Sequence, residues 1–384
     1  MTDFRTWPDL AVRTLGGSVV AANDELFAQR ENLILPTPPV FEPSTFGHKG
    51  KVYDGWETRR RREAGHDVAV VRLGVPGVVR GVVVDTAWFR GNYPPQVSVE
   101  GLCVLGYAAA ADLVDHPGWQ PLVPRSDVAG DAQNAFAVDS DRRWTHVRLS
   151  IYPDGGVARL RVHGEPMPDP RLLDVGAIDL AATENGGLVV GCSDMFYGSP
   201  ANLIAPGLAR SMGEGWETAR RRDDGNDWVQ VALAGAGTVG LAELDTSYFL
   251  GNAPGWARIT GAEAATGDLD DPGAWRELMP RTPLQPDTRH RFVLGATPAV
   301  THVRLDAYPD GGMARLRLIG SLTPAAREAL GVRWFSSLSA ASAVRVLGDA
   351  GVDDERARDL ADRRPTSVGE LPSSALAVVT GAPA

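Results

Sequence analysis

Alternating apolar and polar residues mark two β-strands around residue 150. Every second residue is apolar in residues 146–151 and again in residues 158–163. A period of two is typical of a strand that buries one face, and the intervening residues 153–156 (Pro-Asp-Gly-Gly) are strong turn formers. Shorter apolar runs at residues 68–73 and 81–85 predict further strands. Regularly spaced short strands with glycine- and proline-containing turns favour a β-sandwich or jelly roll.

The chain contains one internal duplication. Residues 16–27, 32–34, 55–62, 85–92 and 145–164 return, with many positions unchanged, as residues 186–197, 202–204, 215–222, 245–252 and 301–320. A period this long indicates a duplicated domain and not a solenoid of ~20–50-residue repeats. We therefore expect an all-β fold with two tandem jelly-roll β-sandwich domains, over residues 1–170 and 171–332.

The turn at residues 153–156 predicts a hairpin in which opposite positions are fixed. In that register Arg148 faces Arg161, and in the second copy Arg304 faces Arg317. Like charges directly opposite each other destabilise a sheet. The favoured interpretation is an internal carboxylate near each pair, or side chains that spread into water. The alternative is an anionic ligand.

Residues 333–384 lie outside the duplication and carry helix signals. A threonine–proline pair at residues 323–324 is typical of a helix start, and Gly331 of a helix stop. Two further short helices are predicted over residues 339–347 and 353–364. We expect this short helical C-terminal tail to add packing or assembly surface and not catalytic groups.

Composition excludes several classes of partner. The 384 residues hold 38 Lys+Arg and 48 Asp+Glu, a net charge of −10, without a long basic run. Such a chain is poorly suited to a polyphosphate backbone, so we expect no nucleic acid partner. The sequence lacks an apolar stretch near the ~18–20 residues of a membrane span and lacks a secretory signal pattern, which predicts no membrane partner and a cytoplasmic protein. The two cysteines, Cys103 and Cys192, are too few for a disulfide framework or a zinc cluster.

The densest polar cluster lies at residues 55–67, Gly-Trp-Glu-Thr-Arg-Arg-Arg-Arg-Glu-Ala-Gly-His-Asp. Its copy at residues 215–227 keeps the tryptophan, the glutamate, three arginines and the aspartate, but has Asn226 in place of His66. A carboxylate, an imidazole and several guanidinium groups suit acid–base chemistry on a carboxylate substrate. A solvated charged loop anchored by Trp56 is the alternative, and the repetition makes the two interpretations about equally favoured.

Other polar positions carry less weight. Asp85 and Asn92, in the motif Asp-Thr-x-x-Phe-x-Gly-Asn, form either a ligand pair or Asx turns, and turn formation is favoured. His48 and Lys49 lie in a glycine-flanked loop that the second copy lacks. The sequence contains no zinc-protease, glycine-rich phosphate-binding or serine-hydrolase motif, so these classes lack support.

Several of these motifs occur together in a known family. The segments at residues 32–34, 54–67, 85–92 and 146–161, in this order and in both copies, resemble the allantoicase (allantoate amidinohydrolase) family over about residues 10–332. The resemblance implies two tandem jelly rolls and a hydrolase of purine (ureide) catabolism that converts allantoate and water to ureidoglycolate and urea. It also implies assembly into a homo-oligomer.

The substrate that the resemblance implies suggests roles for individual residues. Allantoate carries a carboxylate and two ureido groups on one carbon. Arginine is a natural clamp for the carboxylate, and urea leaves more readily when an acid protonates the departing nitrogen. We predict proton transfer by Glu57, His66 and Asp67. Substrate contacts are predicted for Arg60, Arg61, Arg148, Arg161 and Asn92, and the second-repeat counterparts are Glu217, Arg220, Arg221, Asp227, Arg304 and Arg317.

Two alternatives to this scheme stay open at the level of sequence. No cofactor is evident, although a divalent metal held by scattered ligands could activate the water. The rival class of protein is a non-catalytic tandem jelly-roll module that binds a ligand or a carbohydrate, because a fold does not dictate a function. Such a module would not require Glu57 and His66. Because Asn226 cannot exchange protons near neutral pH, the first copy is expected to be the competent one.

Overall fold

The structure, a computed structural model, describes residues 3–47 and 50–381. His48 and Lys49 lie outside the described residues. Antiparallel β-strands are the main regular structure of both repeats, and the longer helices follow the last strand. This confirms the predicted all-β class and the helical C-terminal tail. In the part of the chain that is described, no helix is both long enough and apolar enough to cross a membrane.

The first sandwich, which we call repeat 1, is a succession of antiparallel strands. They are β1 (Ser18–Ala22), β2 (Phe46–Gly47), β3 (Gly50–Lys51), β4 (Trp56–Glu57), β5 (Asp67–Asp85), β6 (Gln96–Leu102), β7 (Gln120–Asp127), β8 (Gln133–Ala137), β9 (Arg143–Tyr152), β10 (Gly156–Val157) and β11 (Arg159–Pro166). The helices are α1 (Ala110–Val114) and the 3-10 helices Phe4–Thr6, Arg13–Leu15 and Arg30–Ile34.

The long strand β5 joins the two layers of repeat 1. Its first half pairs with β1 and β9, and β6 and β7 extend this layer beyond β9. The register shifts between Arg72 and Gly77, and the second half of β5 pairs with β11 and β8 in the other layer. Because side chains alternate between the faces of a strand, Val82, Leu149 and Leu160 all point into one core at 0% exposure.

The predicted hairpin between β9 and β11 is wrong. β9 pairs with β5 and β6, and Arg148 lies opposite Glu100 of β6. β11 pairs with the second half of β5, and Arg161 lies opposite Val83. The turn at residues 153–156 instead leads into the short strand β10, which pairs with β4. The two arginines therefore belong to different layers and do not face each other as like charges.

The second sandwich, repeat 2, follows the same order. Its strands are β12 (Ile178–Asp179), β13 (Leu188–Cys192), β14 (Trp216–Glu217), β15 (Asp227–Asp245), β16 (Trp256–Ala262), β17 (Arg276–Pro283), β18 (Arg289–Val293), β19 (Val300–Tyr308), β20 (Gly312–Met313) and β21 (Arg315–Leu322). Its 3-10 helices are Pro170–Leu173, Thr183–Asn185, Pro200–Ile204, Met212–Glu214 and Pro272–Ala274.

Strand β15 has the role of β5 in repeat 2. It pairs with β13 and β19 in one layer and with β21 and β18 in the other. Arg304 lies on β19 and Arg317 on β21, so the hairpin prediction fails in repeat 2 for the same reason. The matched pairing confirms two tandem jelly-roll sandwiches that derive from an internal duplication.

The C-terminal helices agree in part with the sequence prediction. They are α2 (Pro324–Ser337), α3 (Ala340–Asp349), α4 (Asp354–Arg363), the 3-10 helix Val368–Glu370 and α5 (Ser373–Thr380). Helices α3 and α4 were predicted, and α5 was not. Gly331 lies inside α2 and does not end it. A Cβ atom at Gly331 would lie 1.7 Å from the carbonyl oxygen of Val379, so the glycine permits a close approach of α5.

The chain divides into two compact units. The first ends at Met167 and also contains Ser336–Asp349 and Asp353–Arg364. The second contains Pro168–Phe335, Ala350–Val352 and the residues from Pro365 onward. Each unit therefore has its own sandwich core and its own part of the C-terminal helices.

His146 on β9 predicts a pH dependence of stability. The side chain is 4% exposed, and burial, assisted by the positive charge of Arg72, lowers its pKa from 6.5 to about 4. Between these values the unfolded chain binds a proton that the folded chain excludes. The free energy of unfolding is therefore expected to fall by up to ~3 kcal/mol as the pH drops through this window. Denaturation at pH values inside and above the window measures the loss. If the free energy of unfolding of His146→Gln falls by the same amount over this pH window, groups other than His146 cause the loss.

Candidate active site

Trp56 anchors the polar cluster at residues 55–67. Its side chain is fully buried, and its Nε1 donates to the carbonyl oxygen of Asp24 at 2.7 Å. The Asp24 carboxylate accepts hydrogen bonds from the backbone N and the Nε of Arg59, at 3.0 and 2.5 Å. Burial by itself would raise the pKa of Asp24, but the bonds from Leu26 and Arg59 lower it below its ordinary value. The arginine loop is therefore attached to the segment that follows β1.

Arg61 and Asp67 form an ion pair beside this loop. Arg61 Nη1 lies 2.6 Å from Asp67 Oδ1, and Asn23 Nδ2 donates to the same oxygen at 3.1 Å. Asp67 is 1% exposed. Asp154, from the turn after β9, accepts a hydrogen bond from the backbone N of Arg61 at 2.8 Å. A pocket of about 460 Å³, which we call the Arg61 pocket, is lined here by Asn23, Asp24, Arg59, Arg60, Arg61, Arg62, Glu63 and Asp67.

Arg60 and Arg62 are the two arginines of the Arg61 pocket that form no ion pair among the described residues. Both side chains are exposed. Arg59 and Arg61, in contrast, are held by Asp24 and Asp67. An anion that enters the pocket therefore meets two guanidinium groups that are available for it, an arrangement that suits a carboxylate.

His66 directly precedes β5 and packs on Tyr152. The two ring centroids lie 4.8 Å apart, and the Tyr152 hydroxyl is 2.9 Å from Ser98 Oγ. Partial burial, followed by the positive charges of Arg148 and Arg61, lowers the pKa of His66 below its ordinary value of 6.5. The imidazole is therefore neutral near pH 7 and is able to accept a proton.

Glu57 lies with Asn92 and does not line the Arg61 pocket. Asn92 Nδ2 donates to Glu57 Oε1 at 2.6 Å, and the backbone of Glu57 pairs with Gly156. Glu57 is 9% exposed, and burial raises its pKa despite the bond from Asn92. The carboxyl group therefore retains its proton to a higher pH than an ordinary glutamic acid. Asp85 forms the Asx turn that the sequence favoured, since its Oδ1 accepts from Ala87 N at 2.8 Å.

Arg148 and Arg161 have carboxylate partners of their own. Arg148 Nε and Nη2 lie 2.8 and 2.6 Å from Glu100 Oε2. Arg161 Nη1 lies 3.4 Å from Asp9 Oδ2. Each arginine therefore has an internal carboxylate partner of its own, although the two do not face each other in a hairpin as the sequence analysis expected. Neither arginine lines the Arg61 pocket, so the structure does not gather the four predicted arginines into one clamp.

Repeat 2 preserves two of these contacts. Arg221 Nη1 lies 2.7 Å from Asp227 Oδ1, which matches the pair of Arg61 and Asp67. Asn252 Nδ2 donates to Glu217 Oε1 at 2.6 Å, which matches the pair of Asn92 and Glu57. Arg220 is exposed, like its counterpart in repeat 1.

The remaining counterparts in repeat 2 differ. Asn226 Nδ2 donates to Asp306 Oδ1 at 3.0 Å, and the same oxygen accepts from Arg304 Nε at 2.9 Å. Arg317 Nε lies 3.5 Å from Asp179 Oδ2. The position of His66 is therefore taken in repeat 2 by an amide that is fixed on a carboxylate and cannot transfer protons.

Sequence reasoning did not select Asp24 and Asp154 for the site. They bind backbone N–H groups 35 and 93 positions away along the chain, which is beyond the reach of a local motif. The signal that could have identified them is the duplication, because Asp194 and Asp310 make the equivalent bonds in repeat 2.

The described residues offer no evident metal centre. Within residues 3–47 and 50–381, no group of three or more His, Cys, Asp or Glu side chains is placed to hold a metal ion. The Arg61 pocket has four arginines and three carboxylates among its lining residues, a set of side chains that favours an anion over a cation.

Comparison with known proteins relates both repeats to one family. The family model described as "Allantoicase repeat" matches residues 8–167 and 178–323. The chain belongs to the allantoicase family. A "Probable allantoicase" from Nocardia farcinica is 63% identical over 321 residues, which are 83% of this chain and 95% of the relative. A "Probable allantoicase" from Streptomyces coelicolor is 53% identical over 332 residues, covering 83% and 87% of the two chains.

Solved allantoicase structures share the fold. The crystal structure of allantoicase from Saccharomyces cerevisiae is 34% identical, covers 82% of this chain and 92% of its own, and superposes with a TM-score of 0.72. A second allantoicase structure, also 34% identical over the same shares, has a TM-score of 0.71. The resemblance to the allantoicase family that the motifs indicated is confirmed, and the rival class of a non-catalytic binding module is not favoured.

Proposed function

We propose that this chain is an allantoicase, a hydrolase that converts allantoate and water to ureidoglycolate and urea in purine catabolism. The observation that carries the proposal is the membership of both repeats in the allantoicase family. The Arg61 pocket supports it, because the pocket combines guanidinium groups for a carboxylate with the neutral imidazole of His66 nearby.

The direct test is urea release from allantoate. The purified chain should consume allantoate and release an equal amount of urea. The same assay after treatment with EDTA, with and without added Mg²⁺, Mn²⁺ or Zn²⁺, measures whether a divalent metal takes part. Urea release at the rate of the uncatalysed reaction in all of these conditions would contradict the proposal and favour a binding module.

Within this function, repeat 1 carries the reaction. Arg60 and Arg62 bind the substrate carboxylate, since they are the guanidinium groups of the Arg61 pocket that lack an internal partner among the described residues. His66 removes a proton either from the water that attacks the central carbon or from the ureido group that remains; in the second case, the departure of urea leaves a C=N bond to which water then adds. Urea then leaves as the departing nitrogen is protonated.

The sequence also predicts Glu57 as the proton donor, a role that requires the departing ureido group to extend beyond the Arg61 pocket, which Glu57 does not line. Burial raises its pKa, and a protonated carboxyl group can protonate the departing nitrogen. Glu57→Gln keeps the shape but removes this proton, and we expect a fall in kcat of ~10²-fold. Glu217→Gln is the matched variant, since Glu217 makes the same bond to Asn252 at 2.6 Å. Equal losses in steady-state urea release from the two variants would assign a structural role to both residues.

The lowered pKa of His66 predicts the acid limit of activity. Because neutral His66 accepts a proton, kcat should fall as the pH drops through its pKa, which burial and the charges of Arg148 and Arg61 place below 6.5. Arg148→Gln removes one of these charges, so we expect the acid limb of the profile to move to higher pH. Urea release measured across the pH range checks this. An acid limb above pH 6.5 in the wild type would contradict the assignment.

We propose in addition that the chain forms a homo-oligomer. Repeat 2 exposes Met195, Phe196 and Tyr197 at 62, 71 and 67%, whereas the corresponding Leu26 and Phe27 of repeat 1 are 37 and 44% exposed. Contiguous exposed apolar side chains mark interaction surfaces. Light scattering during size-exclusion chromatography should give a mass larger than that of one chain, and the mass of a single chain would contradict the proposal.

A further inference from the structure

Two buried polar atoms of residues that line the Arg61 pocket lack a partner among the described residues. Arg61 Nε and Asp67 Oδ2 are buried, and neither has a hydrogen-bond partner within residues 3–47 and 50–381. The other ends of the same groups are bound to each other, since Arg61 Nη1 lies 2.6 Å from Asp67 Oδ1. Leaving a buried donor or acceptor unpaired is costly, so both atoms call for a ligand or a water molecule.

The chemistry of this pair defines the ligand. One atom is a donor, the other is an acceptor, and a single ion pair holds them. A carboxylate offers only acceptors and would face Asp67 Oδ2 with a like charge, whereas an ammonium group offers only donors and would face the Arg61 guanidinium. A ureido group, with a carbonyl oxygen next to N–H groups, satisfies both atoms.

We propose that Arg61 and Asp67 form a subsite that recognises the ureido group. Arg61 Nε donates to the ureido carbonyl oxygen, and Asp67 Oδ2 accepts from a ureido N–H. The subsite rests on the proposed function, because allantoate brings two ureido groups and a carboxylate to one pocket. The carboxylate is bound by Arg60 and Arg62, and the ureido group is bound separately by a pair that a second carboxylate cannot satisfy.

In repeat 2 the equivalent pair, Arg221 and Asp227, has its free donor bound by another residue of the chain. Arg221 and Asp227 reproduce the ion pair at 2.7 Å, and Asp227 Oδ2 is again buried without a partner among the described residues. Asp223, however, binds the rest of the Arg221 guanidinium, with Nε to Oδ1 at 3.0 Å and Nη2 to Oδ2 at 3.1 Å. The corresponding residue of repeat 1, Glu63, forms no ion pair with a described residue. The donor is therefore available in repeat 1 and taken by an internal carboxylate in repeat 2.

The test uses calorimetry on the full-length chain with N-carbamoylglycine, which carries one ureido group and one carboxylate. We expect one bound molecule per chain, and succinate, which replaces the ureido group by a second carboxylate, should bind ~10–100-fold more weakly. In Asp67→Asn, Arg61 retains the side-chain oxygen, so the amide nitrogen replaces the acceptor Oδ2 by a donor. The affinity for N-carbamoylglycine should fall by ~10–100-fold. Asp227→Asn makes the same change in repeat 2 and should leave this binding unchanged.

A second variant decides the matter if Asp67→Asn does not fold. Asp223→Ala removes an exposed side chain and frees Arg221 Nε, so the number of bound N-carbamoylglycine molecules should rise from one to two per chain. If the stoichiometry stays at one, Asp223 is not what prevents Arg221 and Asp227 from binding a ureido group, and this part of the proposal is overturned. Unchanged affinity in a folded Asp67→Asn, or equal affinities for succinate and N-carbamoylglycine, would show that water satisfies the two atoms and would overturn the subsite.

The outcomes separate the subsite from the proposed function. Binding of N-carbamoylglycine that depends on Asp67, in a chain that releases no urea from allantoate, would support the subsite and contradict the function. Urea release by a chain whose binding of N-carbamoylglycine does not depend on Asp67 would support the function and overturn the subsite.

Discussion

His66→Asn is expected to lower kcat for urea release by ~10²–10⁴-fold, the range for a lost general acid or base. The substitution copies repeat 2, where Asn226 donates to Asp306 at 3.0 Å and cannot exchange protons near neutral pH. His66 is exposed and packs on Tyr152 without supporting the sandwich core, so the fold should be retained. Steady-state kinetics give the loss in kcat, and circular dichroism confirms that the variant is folded.

Asn226→His is the matched control for this prediction. It introduces an imidazole in repeat 2, where the Arg221 guanidinium is already bound by Asp223, and should change urea release far less than His66→Asn does. Turnover close to that of the wild type in His66→Asn would remove His66 from the mechanism. A large loss in Asn226→His would mean that repeat 2 takes part in the reaction.

The sandwich layers could be predicted because their signal is local. The alternation of apolar and polar residues in β9 and β11 shows which side chains face the core, and the structure places Leu149 and Leu160 there at 0% exposure. Because the motifs of the first copy return in the second, the same reasoning predicts the second sandwich. Helices α3 and α4 were predicted from the residues that end them, which are also local signals.

The pairing of strands could not be predicted from the same signals. Alternation gives the inward face of a strand but not its neighbour, and a turn sequence shows where the chain reverses but not which layer it enters next. The chain after β9 first adds β10 to β4 and only then enters the other layer as β11. Gly331 failed as a helix stop for a related reason, since its role depends on the distant carbonyl of Val379.

The candidate site was predictable as a segment but not as a set of contacts. Residues 55–67 were selected because they are polar, dense and repeated, and they do line the Arg61 pocket in part. Which arginine is free depends on carboxylates elsewhere in the chain: Glu100 holds Arg148 and Asp9 holds Arg161. These partners are 48 and 152 positions away from their arginines, so only the folded chain distinguishes the held cations from Arg60 and Arg62.

Trp56→Ala is expected to lower the free energy of unfolding of repeat 1 by ~3–5 kcal/mol. The indole is fully buried in the core, and its loss leaves a cavity. It also leaves the carbonyl oxygen of Asp24 without the donor that lies 2.7 Å away. Because the Asp24 carboxylate holds Arg59 at the edge of the Arg61 pocket, we expect urea release to fall together with stability.

Trp216→Ala separates these two effects. Trp216 is equally buried, and its Nε1 donates to the carbonyl oxygen of Asp194 at 2.8 Å, so its removal should destabilise repeat 2 by a comparable ~3–5 kcal/mol. It leaves the Arg61 pocket intact, since that pocket is lined only by residues of repeat 1. Guanidinium denaturation measures both losses of stability, and urea release is compared at a temperature where both variants are folded. A greater loss of activity in Trp56→Ala than in Trp216→Ala locates the chemistry in repeat 1, whereas equal losses would mean that activity depends on both sandwiches.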